Sequence, residues 1–72
     1  MDAKDAAIVA KRYFEETKNT KYFLFDAPNV TRQNGQWKVN CEVKELFEEG
    51  VKKFEIIIDD KDGAILDVKR LD

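Results

Sequence analysis

The segment Thr31-Arg32-Gln33-Asn34-Gly35-Gln36-Trp37-Lys38-Val39-Asn40-Cys41-Glu42-Val43-Lys44 contains the strongest local instruction in this 72-residue chain. A two-residue type I′ turn needs positive φ at both central positions, and Asn34-Gly35 tolerates it, so a tight hairpin is expected there. After the turn, Trp37, Val39, Cys41 and Val43 alternate with Lys38, Asn40, Glu42 and Lys44. That period of two describes a strand with one apolar and one wet face. Counting back from the turn sets Arg32 opposite Trp37, as a cation–π contact, and Val30 opposite Val39 as a core pair.

Upstream, Tyr22-Phe23-Leu24-Phe25 begins the partner strand, and Pro28, which lacks an N–H, marks a bulge before Val30. The bulge shifts parity, so Phe23, Phe25 and Val30 share the core face while Tyr22 and Leu24 turn outward. Farther upstream, residues 2 to about 19 read as a helix. Asp2 supplies a cap, Asp5 follows three positions later, and no Gly or Pro interrupts. Ala3, Ala6, Val9, Ala10, Tyr13, Phe14 and Thr17 gather on one side, and Ile8 projects from the charged side.

Downstream, Glu45 to Gly50 reads as an acidic connection, with a helical turn ended by Gly50. A third strand, Lys53 to Asp59, then turns Phe54, Ile56 and Ile58 inward. Asp60-Lys61-Asp62-Gly63 suits a type I turn with a glycine bulge, which would pair Ile58 with Leu66. The fourth strand, Ala64 to Leu71, is then expected to turn Leu66 and Val68 inward. The expected fold class is α+β: an N-terminal helix packed on one face of a four-stranded antiparallel meander, in two layers. Residues 1–72 form a single domain, since a chain of this mass buries only about 60% of its extended surface. Ile57, Ile65, Leu24 and Leu71 are left on the face away from the helix. With Ile8, they form the candidate surface for a protein partner or homo-oligomer.

Composition narrows the chemistry. The chain has no histidine, no serine, one cysteine and a formal charge of −2, with 39% charged residues. Triad catalysis has no members, and Cys41 lies on the apolar side of its strand, so the chain is not expected to be an enzyme or to need a cofactor. Asp59, Asp60 and Asp62 before Gly63 are weak candidates for calcium, because the register of an EF-hand loop fails at both of its ends. The mixed surface charge argues against nucleic acid as a partner. No apolar run reaches membrane-spanning length, and the start of the chain lacks a signal-peptide pattern, which suits a cytoplasmic protein.

Gly35-Gln36-Trp37-Lys38-Val39-Asn40-Cys41-Glu42-Val43-Lys44-Glu45, followed by Phe54-Glu55-Ile56-Ile57-Ile58-Asp59-Asp60-Lys61-Asp62-Gly63, resembles the gas vesicle protein O family across about half the chain. The shared order is a tryptophan strand, a strand of aromatic-Glu-aliphatic type, an aspartate–glycine turn and a basic last strand. The same order is similar to small PepSY-type domains, in which a helix precedes the strands. What the resemblance implies is a non-catalytic accessory or interaction module. The alternative is a domain that binds a small ligand or calcium, or performs weak acid/base chemistry, between the helix and the Glu45 to Gly50 connection.

Overall fold

The first turn of the helix is closed by two aspartates that cap each other. The Asp5 N–H donates to Asp2 Oδ1 at 2.9 Å, and the Asp2 N–H donates back to Asp5 Oδ2 at 3.3 Å. This is a capping box with aspartate at its third helical position. The Asp5 N–H holds the Asp2 carboxyl below its ordinary value. The computed structural model describes residues 1–17, 23–45 and 49–71, with the side chains of Thr17 and Phe23 excepted. Among the described residues there are one helix and four strands: α1 (Ala3–Thr17), β1 (Phe23–Gln33), β2 (Gln36–Glu45), β3 (Lys52–Asp59) and β4 (Ile65–Arg70). The expected placements of Tyr22, of the helix end at Asn19 and of the turn through Leu46, Phe47 and Glu48 lie outside the described residues.

The strands pair antiparallel in the order β1-β2-β3-β4, and α1 packs on one face, chiefly over β1 and β2. The two-layer α+β meander expected from the sequence is the observed fold. Asn34 and Gly35 both take positive φ, 53° and 74°, which lets the β1–β2 turn follow the right-handed twist of its strands. Val30 faces Val39 and Arg32 faces Trp37, as the count from that turn requires. The register shifts between Asp26 and Asn29, where Ala27 and Pro28 oppose Cys41 alone. Phe25, Ala27 and Val30 consequently all pack against the core, although they do not alternate strictly.

The core is built from Ala6, Ala10 and Phe14 of the helix and from Trp37, Val39, Cys41, Val43, Phe54, Ile56 and Ile58 of the two central strands. The alanines bring the helix backbone near the sheet, and Phe14 fills the space at the other end. Its ring centroid lies 5.0 Å from that of Phe54 and 6.0 Å from that of Phe25, with Tyr13 edge-on at 5.3 Å. Burying a phenyl side chain contributes roughly 1.5–3 kcal/mol. Ala3, expected on the contact face, is exposed one turn before the sheet is reached.

The last strand corrects the sequence reading. The Asp59 N–H donates to the Ala64 carbonyl at 2.8 Å and the Gly63 N–H to the Asp59 carbonyl at 2.9 Å, so the loop holds four residues and closes on Asp59 and Ala64. Gly63 takes φ +71° to complete it. Ile58 therefore faces Ile65, not Leu66. The register then shifts, and Ile57 faces Asp67 and Ile56 faces Val68. Leu66 is the extra residue of this bulge and is 50% exposed, against the expectation that it turns inward. Ile65, expected to face outward, is half-buried and packs against the core with Val68.

Candidate functional site

The helix leaves the other face of the sheet uncovered. Strand parity and register place Thr31, Lys38, Ile57 and Asp67 across that face in one row. The next row is Asn29, Asn40, Glu55 and Lys69, and the one beyond it runs Asp26, Glu42 and Lys53. Leu71 continues that third row, since its N–H donates to the Lys53 carbonyl at 2.9 Å. Charges on this face neutralise one another locally. Lys38 Nζ lies 3.3 Å from Glu55 Oε1, and Lys69 Nζ lies 4.0 Å from Asp67 Oδ2. Ile57 sits half-buried among them.

Apolar exposure grows toward the end of the sheet opposite the Asn34-Gly35 turn. Leu24 is 67% exposed and Val51 44% exposed, and with Phe25, Asp26, Glu42 and Lys44 they line a cleft of about 170 Å³. A second cleft of about 180 Å³ runs from Pro28 and Asn29 past Asn40 to Lys53 and Leu71, which is 51% exposed. Asn40 Oδ1 is buried beside it, without a hydrogen-bond partner among the described residues. An acceptor left in that state costs about 1–3 kcal/mol. Of the five sequence candidates, the structure thus places Ile57, Leu24 and Leu71 on the helix-free face. Ile8 is exposed on the helix, away from them, and Ile65 is on the core side. Val51 escaped the sequence reading because it precedes β3, and only the folded sheet brings it into one cleft with Leu24 and Lys44.

The three aspartates of the β3–β4 turn are engaged separately. Asp59 Oδ1 accepts the Lys61 N–H at 2.7 Å, and Asp62 Oδ1 accepts the Ala64 N–H at 2.9 Å. Asp60 turns toward the neighbouring hairpin. Its Oδ1 accepts the Trp37 Nε1–H at 2.6 Å, and its Oδ2 meets the Arg32 guanidinium at 2.6 Å. The Asp60 N–H also donates to the Gly35 carbonyl at 3.0 Å. The indole hydrogen bond, followed by the Arg32 charge, holds the Asp60 carboxyl below its ordinary range. The link expected between Arg32 and Trp37 is therefore made through a shared carboxylate that ties two turns together. Among the described residues, Asp59, Asp60 and Asp62 do not form a cluster able to hold a metal ion.

Cys41 is buried between Val39 and Val43, its Sγ 3.7 Å from the Val39 carbonyl oxygen. Burial pushes its thiol pKa up to about 12, so the nucleophilic thiolate is scarce at neutral pH. A thiol-specific chromogenic reagent is expected to label the denatured chain at once and the native chain only at the rate of global opening. Labelling of native protein at the denatured rate would contradict this placement.

A cleft of about 270 Å³ lies between the helix and the start of β4, lined by Val9, Arg12, Tyr13, Glu16, Gly63 and Ile65. It falls just below the ~300–1,000 Å³ usual for small-molecule sites. No family model matches the chain, and no curated protein or solved structure is similar enough to match it. Among the described residues, no helix is long and apolar enough to cross a membrane.

Proposed function

We propose that this chain is a non-catalytic interaction module of the cytoplasm that self-associates through the helix-free face of its sheet. The observation that carries the reading is the exposure of Leu24, Val51 and Leu71 toward one end of the face that the helix leaves open, with Ile57 half-buried farther along the same face. Two further features bear on it. Lys38 and Glu55 already pair, so covering them desolvates a partnered charge, not an isolated one. Asn40 Oδ1 has no hydrogen-bond partner among the described residues, and the amide would have to turn outward to take a donor from an opposing surface. The resemblance to gas vesicle protein O and to PepSY-type domains points the same way, toward an accessory protein without chemistry of its own.

A standard interface covers about 800 Å² per partner, roughly one-sixth of the 5128 Å² surface of this chain. Sedimentation equilibrium tests the proposal. The wild-type mass should rise above 8.4 kDa with concentration, and Ile57→Lys should hold it at the single-chain value while keeping the native circular dichroism. A wild-type protein that stays at 8.4 kDa up to ~1 mM, where association of only about −4 kcal/mol would show, rejects the reading.

A further inference from the structure

An open sheet has two edges, and each presents backbone groups on which another strand can template itself. The β1 edge is interrupted, because Pro28 has no N–H and the register shifts around it. β4 contains no proline, and its edge is handled differently. In an antiparallel ladder, alternate residues direct their backbone groups at the neighbouring strand. The Leu71 N–H donates to the Lys53 carbonyl, so Lys69 and Asp67, at the same parity opposite Glu55 and Ile57, also face β3. The Val68 N–H consequently points away from the sheet, to the place a fifth strand would occupy. There it meets Asp67 Oδ1, at 2.9 Å. The Leu66 bulge breaks the edge immediately before it.

We infer that Asp67 guards the β4 edge against pairing with β4 of a second copy of this chain. Its carboxylate occupies the donor that an incoming carbonyl would need and puts negative charge where that carbonyl oxygen would sit. Pairing of β4 with itself about a two-fold axis near Val68 is the arrangement blocked, since the same short edge would serve both copies. Lys69 Nζ, 4.0 Å from Asp67 Oδ2, is the cation that faces this carboxylate and helps to hold it on the chain's own side. The guard concerns an edge, not the sheet face, and it stands whether or not the face associates.

The test uses the Ile57→Lys background, in which any association through the face is removed. Adding Asp67→Ala should raise the sedimentation mass toward twice that of the parent, whereas Asp67→Asn, which keeps an acceptor oxygen in place, should remain at the single-chain mass. An alanine variant that sediments as a single chain overturns the inference, as does an asparagine variant that associates as strongly as the alanine one. Wild-type protein gives a reading that does not depend on how the variants fold. The Val68 amide proton should exchange with deuterium more slowly than an unbonded edge amide, and a Val68 amide that exchanges at the free-chain rate also overturns the guard.

Discussion

Phe14→Ala is expected to lower the thermal midpoint by roughly 12–40 °C. Truncating a buried phenylalanine costs about 3–5 kcal/mol, and each kcal/mol is worth about 4–8 °C in a domain of this size. A chain of 72 residues holds only about 4–11 kcal/mol in total, so the variant approaches the unfolding threshold. The effect is large because Phe14 is the contact between layers. It is 1% exposed, and its ring meets Phe25 of β1 and Phe54 of β3, one on each side of β2. Ala6 and Ala10 cannot fill the void, since the close approach of the helix depends on their small size. Phe14→Leu, which refills much of the volume, should recover most of the loss. Thermal unfolding followed by circular dichroism checks both variants, and a Phe14→Ala loss under about 1 kcal/mol would mean that the core is not organised around this ring.

The second large effect belongs to Trp37. Trp37→Ala removes a buried indole at a cost of about 3–5 kcal/mol. Trp37→Phe costs less but changes how stability depends on pH. The indole N–H is the largest cause of the lowered Asp60 pKa, ahead of the Arg32 charge. A carboxyl whose pKa is lower folded than unfolded contributes stability that is fully present above the unfolded value, near 3.9. That contribution is lost as pH falls through the folded value. Wild-type stability should therefore fall below about pH 4, and Trp37→Phe should show a shallower fall. Urea unfolding at a series of pH values measures the difference, and in an Asp60→Asn background Trp37→Phe should no longer change the pH dependence. Parallel slopes for wild type and Trp37→Phe would show that the indole does not hold the carboxylate.

Most of the meander was legible because each instruction was local. Asn34-Gly35 fixed one turn, the alternation from Trp37 to Val43 fixed the faces of β2, and Pro28 announced its bulge. β4 was misread for an equally local reason. Aspartate followed three residues later by glycine suits both a three-residue and a four-residue loop, and the two differ by one position in register. The chain uses the four-residue loop and corrects the register at Leu66, so Ile65 and Val68 reach the core while Leu66 does not. The candidate surface was only partly legible for the same reason. Leu24, Ile57 and Leu71 followed from parity, whereas Ile65 failed with the register and Val51 became visible only beside Leu24.

By itself the sequence determined the helix with its aspartate cap, the tight β1–β2 turn, the inward faces of β2 and β3 and the burial of Cys41. These features follow from backbone preferences and periodicities that span a few neighbouring residues. Only the tertiary structure decided that Asp60 joins Trp37 and Arg32, residues 23 and 28 positions away in the chain. It likewise decided that Val51 lies beside Leu24 and that the outward N–H of Val68 meets Asp67. A carboxylate in a turn has several donors within reach, and which it takes depends on where folding brings the neighbouring strands.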